Sequence, residues 1–284
     1  MKSNYTRLYT FIFLALFLIA PAAKLSAWGK TGHKIINRAA VDYFPAEMND
    51  FKAWQDYLGE HASDPDIRRL TDKSEAPRHF IDINYYKEFL NGRMIENKDS
   101  LIAIYGKDTV TKVGLLPWAT LDTFNNLVKA FKERNRDKAM MLAADLGHYV
   151  ADGHQPMHCV VNYNGQLTNQ EGVHARYESE MVNRYADELE NCFDSTEISL
   201  VKNPLNFIFG YISGSNSVCS VLFDADLLAT KEAGNTTSDD YYRIMWFRTK
   251  YITEIQFNKA AQDFAALFYT AWVEAGKPPY SELN

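Results

Sequence analysis

The sequence contains few cysteines. Among its 284 residues there are only three. Three cysteines allow at most one internal disulfide, and Cys192–Cys219 is the predicted pair. The chain must therefore be stabilised mainly by its hydrophobic core, for which its 46% hydrophobic residues are sufficient.

The chain also lacks an excess of positive charge. Its formal net charge is −6 at pH 7. An acidic protein does not attract nucleic acid or anionic lipid through its overall field. If the substrate is a phosphate ester, local cations must therefore bind it.

Strand signals are nearly absent, and after Trp28 there is no internal repeat, low-complexity tract or linker. Apolar residues recur mostly at helical spacing. The sequence therefore predicts one all-α, mainly helical domain. The predicted helices span 30–43, 119–134, 137–153, about 172–190, and 239–275, the last long enough to contain a break; the predicted loops span 64–84, 106–117 and 162–170.

The one long apolar run lies at the N-terminus. Lys2 and Arg7 precede LYTFIFLALFLIA, and small residues follow as far as Ala27. This is the order of a secretory signal peptide, and the apolar run is short for a membrane-spanning helix. We therefore expect residues 1–27 to be a signal peptide and residues 28–284 to be the secreted or periplasmic domain. The leader carries three basic and no acidic residues, so cleavage changes the formal charge from −6 to −9.

Three histidines and an aspartate lie together in HYVADGHQPMH, residues 148–158. His148 and Asp152 are four residues apart, so in a helix they project from the same face. Pro156 ends or kinks that helix. His158 can then turn back toward the same cavity.

A second pair with this spacing follows in HARYE, where His174 and Glu178 are also four residues apart. Two such pairs and an intervening histidine supply the mixture of imidazole and carboxylate ligands that suits Zn²⁺. A single pair of this kind is more often a surface or hydrogen-bonding pair, so the spacing alone leaves metal binding open. His61 and His154 fit no such pairing and are assigned surface or hydrogen-bonding roles.

The start of the mature chain, WGKTGH, adds further donors. Cleavage would give Trp28 a free α-amino group, which can chelate a metal together with the Trp28 carbonyl, and His33 follows five residues later. With ASDPDIRR, RHFID, GHYVADGHQPMH and HARYE, this opening resembles the phospholipase C/nuclease superfamily of trinuclear zinc phosphodiesterases. One branch holds the fungal and plant single-strand nucleases of the S1/P1 type. The other holds the bacterial zinc-dependent phospholipases C.

The resemblance implies a trinuclear zinc cleft, with three Zn²⁺ ions and nine ligand positions. It places one zinc on Asp66, His79, His148 and Asp152, a second on Trp28, His33 and the bridging Asp152, and the third on His158, His174 and Glu178. Zinc in such sites lowers the pKa of a bound water to about 7 and neutralises charge on phosphoryl oxygens. No motif after about residue 201 contributes to the resemblance.

The nuclease branch implies four residues that act on the substrate. Arg69 corresponds to an arginine that contacts the scissile phosphate, and Asp66 is expected to orient or deprotonate the attacking water. Phe80 and Asp82 match the positions that stack on and hydrogen-bond a base. The alternatives are a surface ion pair for Arg69 and core packing for Phe80.

Some features match the phospholipase branch instead. Tyr177 precedes Glu178 as in the phospholipases, whereas the nucleases use aspartate as the last ligand. The acidic residue that helps receive choline has no counterpart in WGKTGHKI, and Ile67 replaces the tyrosine that follows the catalytic aspartate. The substrate-facing residues therefore favour a single-strand nuclease or nucleotide phosphodiesterase, with a zinc-dependent phospholipase C as the alternative.

A second alternative is a secreted zinc-binding protein without turnover, in which the predicted loop 162–170 covers the cavity. In either enzyme the partner is a phosphodiester substrate, single-stranded nucleic acid or phospholipid. The sequence implies no protein partner, and we expect a monomer.

Overall fold

The structure is a computed structural model that describes residues 28–284, so the predicted signal peptide lies outside the described residues. The described residues contain no β-strand and form one mainly helical domain, which confirms the all-α prediction. Between residues 28 and 284, no helix is at once long enough and apolar enough to cross a membrane.

The helices are numbered in chain order. They are α1 (Gly29–Ala39), α2 (Gln55–Glu60), α3 (Asp64–Arg68), α4 (Lys87–Leu90), α5 (Lys98–Tyr105), α6 (Lys107–Val113), α7 (Leu116–Lys132), α8 (Arg136–His154), α9 (Val173–Ala175), α10 (Val182–Arg184), α11 (Ala186–Leu189), α12 (Pro204–Ser217), α13 (Cys219–Ala233) and α14 (Asp239–Glu274). A π-helical turn spans Arg176–Met181, and 3₁₀ segments span Ala40–Tyr43, Ala46–Trp54, Ala76–His79, Ile83–Tyr85, Pro156–Cys159 and Tyr280–Glu282.

Helix α8 lies at the centre of the domain, packed against α7, α14, α1 and α2. It begins after Asn135, whose side chain accepts a hydrogen bond from the Lys138 amide at 3.0 Å. It ends at His154, just before Gln155 and Pro156. Every residue from 143 to 154 is buried. Polar side chains on this part of α8 must therefore find their partners inside the protein.

A close approach of α1 to α8 depends on Gly147. A Cβ atom at this position would overlap the side-chain amide of Asn37. That amide donates hydrogen bonds to the carbonyls of Leu58 at 3.2 Å and Ala144 at 3.1 Å. Asn37 therefore joins α1, α2 and α8, and it brings His33, one turn earlier on α1, against His148.

The first three predicted helices are confirmed to within a few residues. The segment from 172 toward 190 is not one helix, because it contains the π-helical turn and a break at Tyr185, where φ is −115° and ψ is 24°. The last helix runs over 36 residues without a break.

The predicted loops at 64–84 and 106–117 include α3 and α6, and the sequence does not predict α12 and α13. Helix α6 has only seven residues, between Gly106 and Gly114, and is too short for a periodic pattern. Helix α12 contains glycines and serines with low helix propensity, but burial of Phe209 and Ile212 stabilises it in the fold.

The predicted Cys192–Cys219 disulfide is wrong, because all three cysteines are free thiols. The Cys192 thiol lies 3.7 Å from the carbonyl oxygen of Glu254, whereas the Cys219 thiol donates to the carbonyl of Pro156 at 3.1 Å. Cysteine count alone carries no information about which thiols meet in the fold.

Candidate metal centre

Helix α8 presents His148 and Asp152 to one buried cavity. His148 Nδ1 donates to the carbonyl of Ala62 at 2.8 Å, because a carbonyl can only accept, and this fixes the proton on Nδ1. Its other ring nitrogen, Nε2, points at Asp152 Oδ2, 3.2 Å away. A ring whose other N–H is held by a carbonyl is the usual arrangement of a metal-binding histidine.

His79 enters the same cavity from the 3₁₀ turn at Ala76–His79. Its Nδ1 lies 2.9 Å from His148 Nε2 and 3.1 Å from Asp152 Oδ2, and its Nε2 lies 3.6 Å from Glu75 Oε1. Burial lowers the pKa of His79, but the hydrogen bond to Asp152 and the nearby carboxylate of Glu75 outweigh it and raise the pKa to about 9. In the absence of metal, a proton on His79 therefore separates two nitrogens that would otherwise face each other with lone pairs.

His33 stacks on His148, with ring centroids 4.1 Å apart and an interplanar angle of 17°. Its Nε2 is 3.4 Å from Asp152 Oδ1. The residue is fully buried, and burial lowers the pKa of His33, so the ring is neutral. Neither of its ring nitrogens forms a hydrogen bond with another residue in the range 28–284. A buried imidazole in this state is costly unless a further group coordinates it.

Helix α3 and the residue that follows it place Asp66 and Arg69 at the edge of the cavity. Asp66 Oδ1 lies 3.7 Å from His79 Nδ1 and 3.7 Å from Arg69 Nη2. Two hydrogen bonds from Arg68 to Asp145, at 3.1 and 2.8 Å, attach α3 to α8. This fork-like pair is geometrically specific, so it fixes where Asp66 and Arg69 stand.

A second group of donors comprises His158, His174 and Glu178. The Nε2 atoms of the two histidines are 3.1 Å apart, and Glu178 Oε2 lies 2.9 Å from His174 Nε2 and 3.5 Å from His158 Nε2. His158 Nδ1 donates to the His79 carbonyl at 2.6 Å, and its Nε2 is directed at His174. Burial raises the pKa of Glu178, but the two histidines outweigh it and lower the pKa to about 2.

Asp152 lies between the two groups. Its Oδ2 faces His79 and His148, and its Oδ1 faces His33 at 3.4 Å and His158 at 3.7 Å. Burial raises its pKa, but the histidines, His148 foremost, hold the pKa of Asp152 well below its usual range. The carboxylate is therefore ionised, and its two oxygens face different pairs of histidines.

Trp28 lies against this cavity. Its buried ring packs between Tyr177 and Phe257, and its Nε1 donates to the carbonyl of Ala151 at 2.8 Å, next to Asp152. The main chain has φ 44° and ψ 10°, a left-handed conformation that is unusual for tryptophan. The Trp28 carbonyl accepts the Gly32 amide at 3.0 Å, which leaves it one lone pair.

Phe80 and Asp82 follow His79 on a segment that lies beside His158. The Ile81 amide donates to the His158 carbonyl at 2.8 Å. Both side chains are partly buried. Burial raises the pKa of Asp82 to about 7, an effect that His158 partly offsets. The Asp82 carboxyl is therefore ready to exchange a proton near neutral pH.

His61 and His154 lie apart from these groups, and each pairs with a single carboxylate. His61 Nδ1 is 2.8 Å from Asp64 Oδ2, and His154 Nε2 is 3.0 Å from Asp263 Oδ2. Both residues have the hydrogen-bonding role that the sequence predicts.

The donors therefore form three sets, and within each set the ligand atoms lie within 4.8 Å of one another. The sets are His33, Asp66 and His148; His79, His148 and Asp152; and His158, His174 and Glu178. The first set joins His33 to Asp66 and His148, whereas the sequence resemblance groups His33 with Trp28. Imidazole nitrogens and carboxylate oxygens in this proportion suit Zn²⁺.

Comparison with protein-family models matches the chain to the S1/P1 nuclease model over residues 28–203. No curated protein matches the chain. The matched range covers more than half of the sequence and contains all of the donors described above. The chain belongs to the S1/P1 nuclease family. Its domain is therefore a phosphodiesterase hydrolase of the nuclease type, and helices α12 to α14 lie beyond the matched range.

Two further residues of this S1/P1 nuclease domain support the donors, and neither was predicted from the sequence. Glu75 is buried beside His79 and also lies 3.5 Å from Arg78 Nε. Gln155 donates from Nε2 to Glu178 Oε2 at 3.0 Å, while its Oε1 accepts the Met157 amide at 2.6 Å. Two sequence features could have indicated these roles: Glu75 lies four residues before His79, and Gln155 lies within the motif HQPMH.

Proposed function

We propose that this S1/P1 nuclease is a secreted or periplasmic, zinc-dependent phosphodiesterase that hydrolyses single-stranded nucleic acid. The observation that carries the proposal is the convergence of buried imidazole nitrogens at 2.9 and 3.1 Å around ionised carboxylates. Nitrogens at such distances repel unless a proton or a metal cation lies between them. In this proposal three Zn²⁺ ions are held by Trp28, His33, Asp66, His79, His148, Asp152, His158, His174 and Glu178.

The donor atoms fit zinc in number and kind. Both ring nitrogens of His33, together with Asp152 Oδ1 and Glu178 Oε1, are buried without a hydrogen bond in the part of the chain that the structure describes. Buried polar atoms are normally satisfied, so a group of exceptions at one place supports a bound cation. Zinc at these positions would also supply the positive field that a chain of net charge −6 otherwise lacks.

The roles of the side chains in the proposed reaction follow from their positions at the site. Bound zinc would supply Lewis acidity, which would lower the pKa of the nucleophilic water and stabilise charge on the phosphoryl oxygens. Asp66 accepts a hydrogen bond from that water and orients it, and the Arg69 guanidinium beside Asp66 binds a phosphoryl oxygen. Phe80 stacks on the base and Asp82 hydrogen-bonds its edge.

The test of this proposal uses mature protein that begins at Trp28, loaded with zinc and given single-stranded DNA, RNA and phosphatidylcholine in parallel. We expect cleavage of nucleic acid that is lost with a chelator and restored by Zn²⁺. Metal analysis should give three zinc ions per chain. Cleavage of the lipid without cleavage of nucleic acid would overturn the substrate assignment.

A phospholipase C activity is the second candidate, favoured by two exposed apolar side chains next to the catalytic candidates. Ile67 and Leu70, which flank Asp66 and Arg69, are 62% and 69% exposed and could contact a lipid surface. Tyr177 does not support this candidate, because it is buried and its hydroxyl hydrogen-bonds Thr253 at 3.0 Å. The lipid arm of the same experiment decides between the two substrates.

A zinc-binding protein without turnover is the remaining alternative. It predicts that fully zinc-loaded protein hydrolyses no phosphodiester at all, including a small chromogenic one. Any zinc-dependent release of the chromophore, absent from a His148→Ala variant, would exclude it.

A further inference from the structure

Between the donors His174 and Glu178 the chain leaves the α-helical conformation. Helix α9 ends at Ala175, and the π-helical turn begins at Arg176. Such turns are rare in proteins and occur frequently at functional sites. His174 Nε2 and Glu178 Oε2 meet at 2.9 Å across this turn. The contacts of Arg176, midway between the two donors, therefore bear directly on their spacing.

Asp226, on α13, is a buried carboxylate shared by several segments of the chain, and it is only 1% exposed. Its Oδ1 accepts hydrogen bonds from Arg176 Nη2 at 2.7 Å and Nε at 3.2 Å, and from the hydroxyl of Tyr241 on α14. Its Oδ2 accepts from Gln170 Nε2 at 2.8 Å, and the same amide group donates to the Phe223 carbonyl at 2.8 Å. Hydrogen bonds between ionised partners are roughly twice as strong as neutral ones, so Asp226 joins these segments firmly.

The loop of residues 162–170 is attached to the same point. It is closed by its own side chains, as where Asn162 accepts the Leu167 amide at 2.7 Å. Just after this loop, Arg176 Nη1 donates to the carbonyl of Glu171 at 2.9 Å. One guanidinium therefore joins the loop, the π-helical turn and α13.

The first group of donors is held by different segments of the chain. His148 is fixed by the carbonyl of Ala62, and His79 lies beside Glu75. Asp226 reaches the second group instead, through the π-helical turn. Any effect of Asp226 on metal binding should therefore be confined to one site.

We propose that Asp226 is a positioning residue for the third zinc: through Arg176 it sets the spacing of the two donors that flank this arginine, and so the affinity of their site for the metal. The inference rests on the zinc site of the proposed function, and it adds a residue from beyond the family-matched range 28–203. The Asp226 carboxylate is occupied by its own hydrogen bonds, so it acts through Arg176 and not as a ligand.

The experiment measures zinc binding by the mature protein in competition with a chromogenic chelator. Asp226→Asn keeps the shape of the side chain and removes its charge. Loss of a group that orients a metal ligand weakens metal binding by about 10- to 100-fold. We therefore expect one of three zinc ions to bind more weakly by that factor, and the other two to bind as in the wild type. Tyr241→Phe, which removes one donor to Asp226, should weaken the same zinc by a smaller factor.

Two further variants identify the affected site. In His174→Ala, which removes a ligand of the third zinc, adding Asp226→Asn should leave the affinities of the remaining zinc ions unchanged. Asp239→Asn breaks the ion pair of Asp239 with Arg184, which has the same chemistry on the surface, where the Asp239 side chain is 93% exposed. This control should change no zinc affinity.

A residue that served only the stability of the fold would give a different result. Asp226→Asn would then lower the temperature of unfolding, but it would leave the three zinc affinities unchanged or weaken all of them by the same factor. Either of these results overturns the inference.

Zinc binding is measured independently of hydrolysis, so this inference and the proposed function can fail separately. If Asp226→Asn weakens one zinc only and the wild type cleaves no phosphodiester, the proposed function fails and the positioning role stands. If Asp226→Asn weakens no single zinc, the positioning role is refuted, whatever the protein cleaves.

Discussion

The protonation state of His79 leads to a prediction about stability: removal of zinc should make the protein less stable at high pH than at neutral pH. Without metal, the buried His79 imidazolium is stabilised by Asp152 at 3.1 Å, with Glu75 Oε1 at 3.6 Å from its other nitrogen. Its pKa of about 9 lies above the ordinary value of 6.5. A raised pKa means that the folded protein binds this proton more tightly than the unfolded chain does.

The direction and the magnitude of the change in stability follow from this difference in the pKa of His79. The stabilisation is complete below pH 6.5 and is lost as the pH rises through 9. A rise in pKa from 6.5 to about 9 corresponds to about 3 kcal/mol of stability, at 1.36 kcal/mol per pKa unit. Most of this stability is lost between pH 7 and 9.5. The pKa of His158 is also raised and acts in the same direction, whereas His33, whose pKa is lowered, affects stability only below pH 6.5.

The measurement is the free energy of unfolding from urea denaturation of chelator-treated protein at several pH values between 7 and 9.5. Zinc binds only unprotonated imidazole, so the zinc-loaded protein should gain rather than lose stability over this range. His79→Gln should remove most of the slope of the zinc-free protein. His61→Gln is the matched control, because His61 pairs with Asp64 on the surface, away from the donors.

If the zinc-free wild type is equally stable or more stable at pH 9.5 than at pH 7, His79 does not carry the buried proton. The donors would then be arranged differently from the geometry that supports metal binding.

Three other predictions follow from the same structure. Gly147→Ala should destabilise the protein by about 1–3 kcal/mol and lower its zinc content, because the added methyl group overlaps Asn37. Thermal unfolding measures the loss of stability. Gly210→Ala is the control, because a methyl group at that position meets no other atom. Arg69→Ala should lower kcat/KM on a phosphodiester by about 10- to 150-fold without loss of zinc, since one charged hydrogen bond to phosphate contributes about 1.5–3 kcal/mol. An unchanged kcat/KM would instead favour the interpretation of Arg69 as a surface ion pair. One extra residue before Trp28 should remove one zinc ion and most of the activity, and an extended protein with full zinc content would disprove chelation by the amino terminus.

Much of the candidate site could be predicted from sequence because its donors lie in short motifs. The spacing of His148 and Asp152, and of His174 and Glu178, needs only the geometry of one helical turn. The stop after α8 follows from Pro156. His33, Asp66 and His79 could be added only through resemblance to a family, since nothing in their own segments shows that they meet α8.

Other features depended on distant contacts. The supporting roles of Glu75 and Gln155 appear only when their neighbours are known, because a buried carboxylate or amide is selected by its partner. The short helices α3 and α6 have too few residues for a periodic signal. The free thiols likewise depend on packing, since Cys192 and Cys219 are each held against a different carbonyl.

Helix period and residue spacing are local properties, so the helical character of this chain and its two histidine–carboxylate pairs can be predicted from sequence. Three other relations come from packing between distant segments: His33 stacks on His148, Asp152 faces both groups of donors, and Tyr163 stands beside His174. These relations arise from the close contact of α1 with α8 at Gly147 and from a loop closed by its own side chains. Both are contacts between segments that no local pattern encodes.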